Sequence, residues 1–331
     1  MIKFKKIDKK KFYFLLEEMR RIQKLFYSKF NIDDLWSNSK FTEVIIANAL
    51  NHEMIPGHSG SRDAKDDKGN IYEYKHYKKN SSNHSWTFND YSDVTIEKLK
   101  KTKSVIFAHL NDETFPPFFD KYIEASGQIM SQYLTRETRK IRNTRKMINV
   151  SSNQLKQKEN LYWNEVNKNS LKKGRYYNEL KEIFLFAESL EKLTGVKNLL
   201  TSNKIWEQIV AVELNHNINS EQGGRAGAHD AFDENGLEYE YKVYAGNTWG
   251  FQDISDEVLR KYTNIQGFIL ATVDKRKISL KQIFRVDPAL AVPILREKRD
   301  KRIKNSKNKL RRLQESLSMT DLKKINAVKL F

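Results

Sequence analysis

The chain has 331 residues, with 60 Lys and Arg against 42 Asp and Glu, a formal net charge of +18, and no cysteine. The absence of thiols excludes a disulfide scaffold, a thiolate zinc cluster, an iron–sulfur centre and a cysteine nucleophile, and it suits a reducing cytoplasm. The length predicts two domains of ~100–200 residues each, and a hydrophobic content of 39% can fill a core in both. Charges interrupt every apolar run of the opening MIKFKKIDKKKFYFLLEE, so neither a secretory leader nor a membrane span is expected there, and the protein reads as soluble. Its positive surplus attracts polyanions such as nucleic acid, an acidic membrane surface or an acidic protein, or else serves only solubility.

The sequence repeats. Residues 39–52, SKFTEVIIANALNH, match 203–216, NKIWEQIVAVELNH, at a displacement of 164. Residues 63–77, DAKDDKGNIYEYKHY, match 230–244, DAFDENGLEYEYKVY, at 167, and 86–93, WTFNDYSD, match 249–256, WGFQDISD, at 163. Kept order with small changes of spacing is what loop insertions do to a duplicated unit. The expected domains are therefore 1–155 and 156–331.

In chain order, each copy opens with an amphipathic helix, carrying Phe12, Leu15, Leu16, Met19 and Ile22 in the first and Leu180, Ile183, Phe184 and Leu190 in the second. A second helix, apolar almost all round, follows and ends at Asn51-His52 and at Asn215-His216. Then comes a Gly-containing loop and a hairpin whose turns are Asp66-Asp67-Lys68-Gly69 and Asp233-Glu234-Asn235-Gly236. Strands near Trp86 and Val105, and near Trp249 and Phe268, flank a short helix. A long basic helix is expected to bridge the copies over Arg139 to Lys168, and a similar one to end the chain over Leu295 to Lys324. These basic faces are either solvated or set against phosphates. The architecture predicted is α/β, a mixed sheet flanked by helices, present twice.

The hairpin carries the chemistry. Glu73 and Lys75, like Glu240 and Lys242, are two residues apart on a strand and so share a face. Asp63 and Asp230 fold back beside them across the ladder, whereas Asp66 and Asp233 begin the turns and read as turn formers. Two carboxylates and an ammonium are the set that a Mg²⁺-dependent phosphodiester hydrolase requires: hard oxygens for the metal, and a cation for the developing negative charge.

These residues resemble the PD-(D/E)XK nucleases and, among them, the type II restriction endonucleases. The motif stands as Asp63 with Glu73-Tyr74-Lys75 and again as Asp230 with Glu240-Tyr241-Lys242; the leading Pro is replaced by Arg62 and His229. The resemblance touches both halves and is strongest over Asn203 to Pro288. It implies two tandem nuclease domains in one chain, a Mg²⁺ cofactor held by Asp63, Glu73, Asp230 and Glu240, and sequence-specific double-strand cleavage leaving 5′-phosphate and 3′-hydroxyl ends. It also implies a monomer acting as a pseudo-dimer on double-stranded DNA, in a bacterial cytoplasm, beside a cognate methyltransferase. Glu43 and Glu207, on the buried helix, are by this resemblance glutamates near the metal; alternatively they satisfy the first turn of their helix.

Asn89 and Gln252 lie between core aromatics, with Arg62, His229 and Arg225 near the hairpin, and these are the candidate DNA contacts. Trp86, Phe88, Trp249 and Phe251 read as core. Two other functions remain open from sequence: a structure-specific repair nuclease of the same superfamily, and a DNA-binding protein without catalysis.

Overall fold

Strand 71–78, IYEYKHYK, and strand 104–111, SVIFAHLN, are rich in β-branched and aromatic residues, and the second is buried over nearly its whole length. A run so continuously apolar forms where both faces of a sheet are covered. The computed structural model describes residues 4–33, 35–36, 40–56, 62–81, 83–89, 92–113, 116–141, 147–167, 172–200, 204–219, 229–306 and 313–331.

The chain divides into two compact units, one of residues 21–188 and one of residues 1–20 with 189–331. The first unit holds the latter part of helix α1 (Lys9–Phe30), helix α2 (Lys40–Leu50), strands β1 (Glu53–Met54), β2 (Ala64–Lys65), β3 (Ile71–Lys78) and β4 (Trp86–Asn89), and helix α3 (Asp93–Lys100). Strands β5 (Ser104–Asn111) and β6 (Phe118–Ser126), helix α4 (Gly127–Thr138), strand β7 (Met147–Val150), helix α5 (Ser152–Glu159), strand β8 (Asn164–Glu165) and the start of helix α6 (Tyr177–Thr194) complete it. Its six-stranded sheet has the order β1-β2-β3-β5-β6-β8; β3 and β5 are parallel and the other pairs antiparallel.

The second unit contains helix α7 (Lys204–Leu214), strands β9 (Asn217–Ile218), β10 (Ala231–Phe232), β11 (Glu238–Tyr244) and β12 (Thr248–Phe251), and helix α8 (Asp256–Tyr262). Strands β13 (Gly267–Asp274) and β14 (Ser279–Val286), helix α9 (Pro288–Asn305), strand β15 (Glu315–Ser318), helix α10 (Met319–Lys324) and strand β16 (Val328–Lys329) follow. Its sheet order is β9-β10-β11-β13-β14-β16, with β11 and β13 parallel and the rest antiparallel. The fold is mixed α/β, and the two sheets repeat strand for strand.

The repeat extends to details. Asn51 and Asn215 take left-handed φ of 55° and 56°, and the next N–H groups, of His52 and His216, donate to Ala47 and Ala211 carbonyls at 2.9 and 2.8 Å. Asn tolerates that conformation better than other residues with a Cβ, which is why these helices stop there. Trp86 and Trp249 are fully buried, and their indole N–H groups donate to the Ala108 and Ala271 carbonyls, each at 2.9 Å.

Two expectations are corrected. The stretch 139–168 is not one basic helix: MINV at 147–150 pairs with β4, burying Ile148 and Val150, and a capping box at Ser151 starts the short α5. Likewise Leu295 to Lys324 is broken, because Leu317 is buried where β15 pairs with β12, and Ser318 caps α10. Basic residues dominate both stretches, but a few apolar side chains gain more by entering the core than the helix would gain by continuing.

The compact units also differ from a division at 155/156. Residues 1–20 belong with the second copy: Asn217 exchanges hydrogen bonds with the Lys5 backbone at 2.5 and 2.8 Å, Lys9 reaches the Glu213 carbonyl, and Arg20 the carbonyls of Lys277 and Ile278. Residues up to 188 belong with the first: Tyr176 N–H donates to Asn48 at 3.0 Å, and the Tyr176 hydroxyl accepts from Met54 N–H at 2.8 Å. Each unit thus takes a strip of helix from the other copy's sequence.

Gly127 is fixed by crowding. A Cβ at Gly127 would lie 2.3 Å from the carbonyl oxygens of both Leu99 and Thr102. Gly127→Ala is therefore expected to destabilise the protein by about 1–3 kcal/mol, read as a lowered midpoint of urea unfolding.

Candidate active site

Each hairpin turn is held by its first aspartate. Asp66 accepts from the N–H groups of Lys68 and Asn70, the Asn70 amide and the Tyr72 hydroxyl; Asp233 accepts from the N–H groups of Asn235 and Leu237 and from the Tyr239 hydroxyl. The Asn70 side chain first, with the other donors, holds the Asp66 carboxyl down at about 2. With both engaged in the turn, the aspartates facing the strand are Asp63 and Asp230.

Asp63 and Asp230 lie where the first hairpin strand meets the second. Their backbone N–H groups donate to the Tyr72 and Tyr239 carbonyls, both at 2.9 Å, and their Oδ2 atoms accept from the N–H of Tyr74 at 2.6 Å and of Tyr241 at 2.8 Å. Each carboxylate is thereby set against the middle residue of Glu-Tyr-Lys. On the same strands, Lys75 is ion-paired with Glu73 Oε1, and Lys242 with Glu240 Oε1. The ammonium groups also sit over aromatic rings, Lys75 over Phe88 at 5.4 Å and Lys242 over Phe251 at 5.5 Å. The carboxylate on one side and the ring on the other fix the lysine's position.

The intervening tyrosines point to the other face. Tyr74 and Tyr241 are buried, and their hydroxyls pair with Nδ1 of His52 at 2.9 Å and of His216 at 2.8 Å. Burial pushes the His52 imidazole down and His216 down to about 4, so both remain neutral at pH 7. The helix-ending Asn-His pair thus anchors the strand that carries the glutamate and the lysine.

Glu43 and Glu207 close the group from helices α2 and α7. Burial first, then the nearby Asp63, pushes Glu43 up to about 7; burial and then Asp230 do the same to Glu207. Glu240 is also pushed up to about 7, by burial and then Asp230, against the pull of Lys242. Burial raises Asp230 as well. For Lys242, burial opposes the charge, but Glu240 and Asp230 outweigh it and the ammonium is held above its ordinary value. In the second unit Glu207, Asp230, Glu240 and Lys242 thus act on one another's ionisation, and in the first Glu43 is acted on by Asp63, Lys40 and Lys75.

The sequence reading missed Lys40 and Lys204. Lys40 is 3% exposed and lies 2.8 Å from Glu43 Oε2, while the Lys204 ammonium favours ionisation of Glu207 and Asp230, opposing the effect of burial. Their matching places in the repeat were the available signal. Tyr262, whose hydroxyl donates to Glu240 at 3.3 Å, was also missed, because nothing in its sequence context marks it.

Asn89, Gln252 and Arg62 are exposed, whereas His229 pairs with Glu238 at 3.1 Å and with the Asn219 amide at 2.9 Å; Arg225 lies outside the described residues. Among the basic helix residues, Arg299 is 6% exposed and bonded to Asp256, Asp300 and the Ile254 carbonyl, so it is a structural cation.

The donor set fits Mg²⁺ in kind. Every candidate ligand is a hard oxygen, and Glu240 Oε2 is buried with no hydrogen-bond partner among the described residues, an atom that a cation would satisfy. Among the described residues, however, no three His, Cys, Asp or Glu side chains already converge as ligands, since Lys75 and Lys242 lie against the glutamates. No described helix is long and apolar enough to cross a membrane. No protein-family model matches the sequence, and no curated protein matches it.

Proposed function

We propose that the protein is a Mg²⁺-dependent double-strand DNA endonuclease of the type II restriction kind, with one Asp-Glu-Lys centre in each half. The observation that carries this reading is the same constellation built twice: an aspartate on the strand N–H, a glutamate paired with lysine, an aromatic ring behind the lysine and a half-buried helix glutamate. An ordinary exposed Glu–Lys pair contributes little to stability and gives no reason for both copies to retain every member. Isolated buried carboxylates in such numbers would be costly without a positive partner.

Asp63 and Glu73 in the first half, and Asp230 and Glu240 in the second, would hold the cation, which supplies charge neutralisation at the phosphate and a more acidic water. Lys75 and Lys242 hold positive charge beside that place and orient water or the departing oxyanion. The +18 net charge draws the chain to a polyanion. Two centres in one chain match two antiparallel strands, so that no second copy is needed. Recognition of a short, asymmetric or partly palindromic sequence follows from the divergence of the halves outside the hairpins. A bacterial cytoplasm and a partner methyltransferase complete the proposal.

The test is incubation with plasmid DNA with and without Mg²⁺, followed by mapping of the ends. Discrete fragments with 5′-phosphates, abolished by EDTA, are expected. Binding that weakens steeply with salt, without turnover, would leave a DNA-binding protein, and cutting at junctions alone would leave a structure-specific nuclease.

A further inference from the structure

We propose that a cavity beside the first turn of helix α9 binds a small organic monocarboxylate with an apolar body. This site is separate from the candidate centres and goes beyond the nuclease reading.

The repeat locates the cavity and explains it. Lys103 and Gln266 are counterparts, since their N–H groups donate to the Ile71 and Glu238 carbonyls, each at 2.8 Å. Val105 pairs with Ala125 as Phe268 pairs with Val286, so Glu124 corresponds to Arg285 and Gly127 to Pro288, one residue past the caps Ser126 and Asp287. In the first unit the Gly127 N–H donates to the Lys103 carbonyl at 3.2 Å, and a Cβ there would lie 2.3 Å from the Leu99 and Thr102 carbonyl oxygens. Pro288 has no N–H to give to Gln266, and it brings a ring to a place where the first unit has no room for one carbon. Helix α9 therefore cannot dock as α4 does. A cavity of about 590 Å³ lies between its first turn, residues 263–266 and the chain from Val328 to Leu330, a volume within the ~300–1,000 Å³ of small-molecule sites.

The chemistry of the wall has changed with its shape. In the first unit the Ser104 hydroxyl donates to Glu124 at 2.6 Å. Their counterparts are Gly267 and Arg285, so the acid has become a guanidinium and its partner has gone. Arg285 lies over the Tyr239 ring at 5.9 Å, and among the described residues it has neither an ion pair nor a hydrogen bond. A planar fork of N–H donors facing such a cavity suits a carboxylate held by two parallel hydrogen bonds. Ile265, Pro288, Val328 and Leu330 supply an apolar wall for the rest of the ligand. Asp287, which also lines the cavity and caps α9 by accepting the Ala289 N–H at 2.8 Å, disfavours a second negative charge, so a monoanion fits better than a phosphate dianion. Arg285 pairs with Ile269, and Ile269 with Tyr241, which sets the guanidinium on the face of the sheet opposite Glu240 and Lys242.

Calorimetric titration of the full chain with phenylacetate is expected to show saturable binding at sub-millimolar concentration, with the uncharged 2-phenylethanol bound about tenfold more weakly or worse. Arg285→Gln removes the cation, and Ala289→Trp adds bulk to the wall while keeping the cation; each should weaken phenylacetate by about tenfold or more, with a thermal melt to check folding. Three results would each overturn the proposal: no saturable binding of phenylacetate; inorganic phosphate bound as tightly as phenylacetate; or unchanged affinity in Arg285→Gln or, should that variant not fold, in Ala289→Trp. DNA takes no part in these readouts, so failure here and failure of the nuclease reading are distinguishable.

Discussion

Lys75→Ala and Lys242→Ala, each made alone, are expected to turn double-strand cleavage into nicking of one strand, a different strand for each. Each ammonium is fixed between a glutamate and an aromatic ring at its own centre, so removing one leaves the other centre's groups untouched. Loss of a positioned cation that stabilises developing negative charge costs about 10²–10³ in rate at that centre. Supercoiled plasmid should therefore accumulate as open circle, with linear product appearing hundreds of times more slowly, and sequencing of the nick should assign a strand to each centre. Linear product forming at the unaltered rate in either variant would refute one centre per strand; loss of both nicks in a single variant would show that the centres act as one.

The second large effect is on stability. In the metal-free protein, Glu43, Glu207 and Glu240 are raised from the ordinary 4.5 to about 7, so between those values the folded chain binds more protons than the unfolded one. Their contribution to stability is complete below about pH 4.5 and is lost as pH rises through about 7. His216 and His76, both lowered to about 4, and His52, also lowered, work in the opposite direction, but only below the ordinary histidine value of 6.5.

Raising the pH from about 6.5 to about 8.5 is accordingly expected to destabilise the metal-free protein by about 2 kcal/mol, read by urea unfolding, and Mg²⁺ should reverse the loss. Glu207→Gln removes one charge that burial and Asp230 both disfavour, so it should gain about 2–3 kcal/mol at the alkaline end and little at pH 5. If the stabilised variant also cuts one strand poorly, Glu207 belongs to the centre; if both strands are cut normally, it serves only the first turn of its helix. A metal-free protein equally stable across this pH range would show that these carboxylates are not crowded.

The hairpin geometry of the candidate centres was legible because its components are local. A turn ending in Gly, a Glu and Lys two apart, and an Asp on the opposing strand are all set within one hairpin, and periodicity alone places them on one face. The Asn-His helix ends and the Trp-x-Phe strands were legible for the same reason. What escaped depends on distance along the chain. Strand β7 is recognisable only through its pairing with β4, and β15 only through its pairing with β12. In both, the local composition is dominated by the lysines and arginines around them. Tyr262 meets Glu240 across 22 residues, a relation that no spacing rule encodes.

The exchanged helical strips separate ancestry from architecture. A chain severed at the sequence repeat would give two products that each carry a segment whose apolar side was made for the other product's core. Neither would be a whole domain, although each would be a whole repeat. Fusion has in this sense become irreversible: the sequence still reads as two, but neither repeat by itself supplies all of one compact unit.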